Sequence, residues 1–277
     1  MLDVLQLPFL QWAALATLVL AGIHAYLGFH IVRRGVLFVD LALAQMAALG
    51  VSVAIVLGHE HDELGSYLLA FGMTVLGAAL FAWLRGRARH APLEAFIGIV
   101  FATAQALAFL LLEKTPSGPE HLKESLVGSL FTVEPKHIAI IAVLYVIVAL
   151  VHVFLRKPFF EITNDADAAV ARGRNLFLWD FLFYVTFGVV VTSAVHIAGV
   201  LLVFGFLVIP AVAGVMVSSR TGLALAMGWV FAIVGSVLGL VMSVSFDMPA
   251  APSILVTLTG LLVLQGVIQT VTRFARR

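Results

Sequence analysis

The sequence predicts an all-α fold, a polytopic transmembrane bundle of about nine helices that occupies residues 1–277 as a single domain. Composition is the first reason: 62% of the 277 residues are hydrophobic and 11% are charged, with a mean hydropathy of +1.11. A soluble domain is about 45–50% apolar and about 25% charged. The second reason is a series of nine apolar stretches of about 20 residues, the length that a helix needs to cross a bilayer.

Short polar segments separate the nine stretches and hold most of the charge. The polar segment 114–135 contains one apolar run, 126–131, which is too short to span, and we expect a short or re-entrant helix there. A second polar segment, 161–174, is also expected to contain a short helix. The predicted spans are 11–32, 36–57, 64–84, 92–113, 137–155, 175–195, 199–217, 223–244 and 251–271.

Most of these spans have recognisable ends. The first stops at Arg33 and Arg34, and the third at Arg85. Pro92 opens the fourth, where a proline costs little because its missing N–H group would be unpaired in any helix start. The turn around Asp247 separates the eighth span from the ninth, and basic residues follow the fifth, seventh and ninth spans at Arg156, Arg220 and Arg273.

The basic residues predict the orientation of the chain. With nine spans, all of the 16 Lys and Arg residues except Lys114, Lys123 and Lys136 fall on one side. The positive-inside rule makes that side cytoplasmic. The N-terminus is therefore expected outside and the C-terminus inside.

Several function classes are disfavoured by what the sequence lacks. It has no cysteine, which excludes disulfides and thiolate metal sites. Its first twelve residues contain no Lys or Arg, so the first apolar stretch is expected to remain rather than be cleaved as a signal peptide. No Gly-x-x-x-x-Gly-Lys-Ser/Thr phosphate loop occurs, so the chain cannot hydrolyse ATP by that motif. The hydrolase motif Gly-x-Ser-x-Gly is absent too.

The seventh span is the most distinctive stretch of the chain. Its sequence from 199 to 217 is almost wholly apolar, with Pro210 inside it and Gly205 and Gly214 on either side. A proline removes one backbone hydrogen bond and kinks a helix, which membrane helices tolerate where neighbours cover the freed carbonyl. Glycines allow other helices to approach closely. We expect a kinked, buried helix.

Polar residues inside predicted spans are candidates for a transport path, because such groups are costly in a bilayer. At about 1.5 Å per helical residue, Asp40, Gln45 and His24 lie roughly 9, 16 and 13 Å from the edge marked by the first arginine pair. They are expected to line one mid-membrane site from two adjacent helices. A hydrogen bond between helices is the alternative for His24. Asp180, near the start of a span, suits the helix dipole.

The expected outer side is acidic and rich in histidine. The densest cluster contains His59, His61 and Asp62, whose imidazole and carboxylate groups are ligands for divalent cations. One interpretation is transient metal capture. The other is a solvated loop whose charges keep it out of the bilayer.

Two stretches resemble a known family. The first is Gly199-Val-Leu-Leu-Val-Phe with Leu-Val-Ile-Pro210-Ala, and the second is the arginine pair followed by Asp40, Gln45 and Gly50. Both resemble segments of the ABC-3 family, the permease subunits of bacterial ABC importers for zinc, manganese and iron. Weaker matches lie in the family's order at 94–98, 126–130, 169–173 and 247–253.

The chain departs from the family pattern on the second helix. Val39 replaces a glycine, and Gln45 stands five residues after Asp40 where the family has a histidine four residues after its aspartate. A five-residue step turns a side chain about 140° around a helix, so we expect a π-bulge between Asp40 and Gln45 to absorb the extra residue. A neutral amide oxygen is a poorer ligand for a transition metal than imidazole. The identity of the transported cation therefore stays open.

The resemblance implies a function and a set of partners. The chain would form the translocation path of a divalent metal importer in the bacterial inner membrane, with the metal as cargo and no permanently bound cofactor. It would work with a separate ATPase, an extracytoplasmic metal-binding protein and a second permease chain as a homodimer, surrounded by lipid and without nucleic acid. It would not itself be an enzyme. A secondary transporter or channel for cations is the alternative.

The resemblance also implies a place where the ATPase docks. The family has its coupling helix after the proline-containing helix, which here points to Ser218, Ser219, Arg220, Thr221 and Gly222. A plain turn between helices is the alternative interpretation of this segment. The longer polar segment 161–174 is the rival docking site.

Overall fold

The computed structural model describes residues 8–59, 64–87, 92–113, 128 and 130–275. In this part of the chain, nine helices are long and apolar enough to cross a membrane, which confirms the predicted class and the number of spans. They are α1 (Pro8–Arg34), α2 (Val39–Val56), α3 (Leu64–Arg85), α4 (Leu93–Leu112), α5 (Pro135–Phe154), α8 (Leu176–Val195), α9 (Ile197–Val217), α10 (Thr221–Ser245) and α11 (Ala250–Ala275).

Two short helices lie at the second polar segment, 161–174, where one was expected, and the first of them begins five residues before that segment. They are α6 (Arg156–Asn164) and α7 (Ala166–Ala171), and they meet at Asp165. The Asp165 side chain caps α7, because its Oδ1 accepts a hydrogen bond of 2.9 Å from the backbone N–H of Ala168. The other short apolar run, 126–131, lies mostly outside the described residues. Only a 3₁₀ turn, Leu130–Thr132, is seen at its end.

The helices belong to two compact units. The first unit comprises Met1–Val32, Ser129–Ala142 and Leu201–Arg277, and the second comprises Arg33–Gly128 and Val143–Val200. Whether the whole chain behaves as one domain stays a prediction.

In the second unit, α2 is the most buried helix and packs against α3 and α4. Met46 and Leu49 of α2 form a buried apolar cluster with Ala104 and Ala108 of α4. On the side of α3, the backbones meet at Gly50, where a Cβ atom would lie 2.6 Å from Cα of Ala70. Small residues thus let these helices approach closely, as is common within membranes.

In the first unit, close backbone contacts join α9 to two other helices. Gly28 of α1 faces the carbonyl of Leu207, and Gly214 faces the carbonyl of Ala224 in α10. A Cβ atom on Gly228 would lie 2.9 Å from the carbonyl oxygen of Pro210. The expected burial of the seventh span is therefore achieved through glycines.

Glycines with positive φ mark two breaks in the helical chain. Gly35, with φ 67°, follows Arg34 and ends α1, because a left-handed residue stops a helix. Gly199, with φ 72° and ψ 158°, interrupts the helical run Leu176–Val217. Gly128, also at positive φ, packs on the backbone of residues 197–199 so tightly that any side chain there would clash.

Substitution of Gly50 by alanine should destabilise the fold. The added Cβ overlaps the backbone of α3, and overpacking of this kind typically costs about 1–3 kcal/mol. Gly72→Ala is the matched control, because a Cβ atom on Gly72 meets nothing within 4 Å. Thermal unfolding in detergent should give a lower midpoint for Gly50→Ala than for Gly72→Ala. Equal midpoints would contradict this packing.

Candidate translocation site

Asp40 is the most unusual polar residue within the spans. It lies in the first turn of α2 and is 1% exposed. Neither of its carboxylate oxygens has a hydrogen-bond partner among the described residues. A buried carboxylate in this state is costly, and such groups in membrane proteins usually face a path or a ligand.

Glu94 brings a second carboxylate to the same place. It lies in the first turn of α4, and its Oε1 accepts a hydrogen bond from the backbone N–H of Leu37, in the turn that precedes α2. Its Oε2 is buried without a hydrogen-bond partner in the described chain, and its charge acts on Asp40. Two helix N-termini, whose dipoles favour negative charge, thus hold two acidic groups side by side.

The pair has the chemistry of a cation site. Carboxylate oxygens are preferred ligands of hard and borderline divalent cations. Three oxygens of Asp40 and Glu94 have no hydrogen-bond partner here. Among the described residues, no group of three or more His, Asp or Glu side chains could by itself enclose a metal ion. The pair therefore offers an incomplete coordination shell.

Glu94 was not among the predicted site residues, although the segment 94–98 was one of the weaker family matches. The signal that could have found it is the pairing of two acidic residues, each in the first turn of a span that begins on the arginine-rich side. Linking them required knowledge that α2 and α4 are neighbours.

The expected π-bulge in α2 is wrong. The helix is continuously α-helical from Val39 to Val56. Gln45 is buried, at 6% exposure, but a five-residue α-helical step places it about 140° around the axis from Asp40. The geometry therefore does not bring Gln45 to the face of α2 that carries Asp40.

The expected depth of Asp40 is also too large. Counting about 9 Å from Arg34 assumed a helix through residues 35–38, where the chain instead forms a turn. Asp40 is the second residue of α2 and so lies near the start of the crossing rather than at its middle.

His24 belongs to the first unit and is fully buried. Its Nδ1 lies 2.7 Å from the carbonyl oxygen of Leu20, one turn earlier in α1, and therefore carries the proton and donates. This bond lies within α1 and is therefore different from the hydrogen bond between helices that was the alternative for His24. Its place on a path stays a prediction.

The candidate outer loop is described only in part. The ring of His59 stands against Gly65, where a Cβ atom would lie 2.8 Å from its Nδ1. His61 and Asp62 lie outside the described residues. Metal capture by this loop stays a prediction.

A buried ionic cluster surrounds Asp180 in the second unit. Its Oδ1 accepts hydrogen bonds from Arg34 at 2.8 Å and from Arg85 at 2.9 Å. The side chains of Arg34 and Asp180 are both fully buried. Asp180 thus has a more specific role than the helix-dipole contact expected from the sequence, because it pairs with two arginines from distant parts of the chain.

A further polar contact holds the short helix α6. Arg174 donates a hydrogen bond of 2.8 Å to Glu161, which keeps the pKa of that carboxyl below its usual range. Glu161 consequently stays ionised at neutral pH. The guanidinium of Arg174 also stands 6.0 Å from the ring of Trp179 in α8.

The expected coupling segment is a tight turn. Three non-helical residues, 218–220, separate α9 from α10, and the backbone N–H of Arg220 donates to Oγ of Ser218 at 3.0 Å. Thr221 and Gly222 are already the first residues of α10. The segment therefore contains no separate helix.

Comparison with known proteins agrees with this architecture. The chain is 26% identical over 264 residues to the manganese transport system membrane protein MntB of Synechocystis sp., covering 95% of this chain and 84% of MntB. It is 24% identical to the high-affinity zinc uptake system membrane protein ZnuB of Haemophilus influenzae, covering 91% and 94% of the two chains.

A solved structure, PsaBC from Streptococcus pneumoniae in complex with Fab, matches with a TM-score of 0.78 at 23% identity, covering 95% of this chain and 93% of that one. Its identity is low, so this likeness concerns the fold. The sequence profile of the ABC 3 transport family matches residues 6–269, nearly the whole chain. The protein therefore belongs to the ABC 3 transport family.

Proposed function

We propose that this chain is the membrane-spanning permease subunit of an ABC importer for divalent metal cations, with zinc, manganese and iron as the candidate cargoes. One observation carries the proposal within the structure: the buried carboxylates of Asp40 and Glu94, whose free oxygens suit a divalent cation. Family membership and the manganese and zinc systems named for its relatives support the same cargo class.

The proposal includes partners that the chain itself does not supply. A separate ATPase would provide the energy, because the sequence has no phosphate loop. An extracytoplasmic binding protein would deliver the metal, and a second permease chain would complete the path. The arginine-rich ends of the spans would face the cytoplasm of a bacterial cell, as the positive-inside rule requires.

Transport should depend on ATP. In proteoliposomes that contain the permease, its ATPase and its binding protein, radioactive manganese should accumulate only when ATP is present on the ATPase side. A proton or sodium gradient should not replace ATP, because the driving force comes from hydrolysis. Uptake driven by such a gradient without the ATPase would instead favour a secondary transporter. Competition by zinc and iron would then rank the cargoes.

Asp40→Asn should lower manganese uptake by about tenfold or more, because one charge-assisted contact is worth about 1.5–3 kcal/mol. The change keeps the shape of the side chain and removes its charge. Asp247→Asn is the control, because Asp247 is exposed at φ 53°, a conformation that asparagine tolerates. Normal uptake by Asp40→Asn, with normal assembly, would remove Asp40 from the path.

Two surfaces are candidates for the ATPase contact. The turn from Ser218 to Gly222 is short, with Arg220 exposed. The pair α6–α7 forms two separate helices outside the nine spans. We favour α6–α7 as the docking element because its helices are separate from the spans, whereas the turn between α9 and α10 contains no separate helix.

Crosslinking can distinguish the two surfaces, because the natural chain has no cysteine. A cysteine at Asp167, exposed on α7, should crosslink to the ATPase in the assembled complex much more strongly than one at Ser219. A cysteine at Lys136, on the proposed outer side, serves as the negative control. Strong crosslinks from Ser219 and none from Asp167 would return the coupling role to the turn between α9 and α10.

A further inference from the structure

We infer that Arg34 is the positioning residue that transmits movement of α6 to the spans α3 and α8. The inference rests on the proposed function, in which α6–α7 contacts the ATPase. The assignment comes from the contacts of one guanidinium group, which meets α6 and the Asp180 cluster at the same time.

On one side, Arg34 holds α6 through two hydrogen bonds. Its Nε donates to Oγ1 of Thr163 at 2.9 Å, and a terminal nitrogen donates to the carbonyl oxygen of Phe159 at 3.4 Å. Thr163 and Phe159 are both buried, at 4% and 0% exposure. A shift of α6 therefore displaces the guanidinium or breaks these bonds.

On the other side, Arg34 is attached to α8. Its other terminal nitrogen lies 2.8 Å from Oδ1 of Asp180, and its guanidinium stands 3.9 Å from the ring centre of Phe183. Asp180 carries the connection on to α3 through Arg85 at 2.9 Å. Because a guanidinium is planar with donors in fixed directions, it can hold these partners in one geometry.

The same region is packed with aromatic rings that add rigidity. The ring of Phe159 lies 4.6 Å from that of His152, 5.8 Å from Phe183 and 6.0 Å from Trp179. Packed interiors transmit displacement instead of absorbing it. The aromatic cluster lets α6 and α8 move together, and Arg34 adds the directional contact between them.

Stability alone does not explain Arg34. The cluster holds two arginines and one aspartate, so a second positive charge is buried beyond what neutralises Asp180. Buried ion pairs often contribute little net stability, because desolvation offsets their attraction. Arg85 already neutralises Asp180, while Arg34 also donates hydrogen bonds to Thr163 and Phe159 of α6.

This asymmetry provides a matched pair of variants. Arg34→Gln and Arg85→Gln each remove one arginine and leave Asp180 paired with the other. Only the first removes the contacts with Thr163 and Phe159. Arg33→Gln, an exposed neighbour, controls for the loss of a positive charge at the end of α1.

The experiment measures manganese transported per ATP hydrolysed in proteoliposomes that contain the complete complex. Arg34→Gln should lower this ratio by about tenfold. Typical couplings between two sites produce effects of about 5- to 150-fold. Hydrolysis and the amount of ATPase that copurifies should stay near those of the natural protein. Arg33→Gln should keep a normal ratio, and Arg85→Gln, which loses only the connection to α3, should lower the ratio less than Arg34→Gln does.

Three outcomes would overturn the inference: a normal ratio for Arg34→Gln, an equal fall for Arg34→Gln and Arg85→Gln, or loss of the ATPase from the Arg34→Gln complex. If Arg34→Gln does not fold, Thr163→Val decides, since it removes one acceptor without touching the ion pairs, and the ratio should then fall less but in the same direction.

The Asp167 crosslink, repeated in Arg34→Gln, separates this inference from the proposed function. Its persistence with a normal ratio would reject the role of Arg34 alone.

Discussion

The cost of placing a carboxylate among apolar helices governs the polar architecture of this protein. Ionised groups in a low-dielectric interior lose their hydration and need partners. The chain meets this need at Asp180 with two arginines, which bring α3, α8 and α6 to one point. At Asp40, neither carboxylate oxygen has a hydrogen-bond partner in the described part of the chain. The protein thus supplies charged partners for the carboxylate of Asp180 but not for that of Asp40 among the described residues.

The positions of Asp40 and Glu94 in their helices reduce the cost of burying two carboxylates. Glu94 would repel Asp40 if both were ionised without compensation, yet both lie in the first turns of their helices, where the dipoles favour negative charge. Gly50, ten residues after Asp40 in α2, sets the distance between α2 and α3 because the two backbones touch there. The acidic pair is therefore held by rigid helices rather than by loops.

Hydropathy and charge were sufficient to predict the helices, because each span needs about 20 apolar residues and most of the arginines lie at the ends of spans. The same signals could not predict which helices are neighbours. The pairing of Asp40 with Glu94 and of Arg34 with Asp180 depends on packing between segments that are 54 to 146 residues apart. The expected bulge near Gln45 failed for a related reason: a family spacing was imposed on a helix whose own hydrogen bonds are regular.

The short turn between α9 and α10 and the close contacts of their backbones make these two helices one rigid hairpin. Three residues link them, and Gly214 and Gly228 bring their backbones into contact on both sides of the join. One helix of this hairpin cannot slide along the other without breaking the contacts between each glycine and the carbonyl group that faces it. Pro210 lies about 10 Å from the end of α9 at 1.5 Å per residue. The two helices are therefore in backbone contact from the turn up to the depth of Pro210.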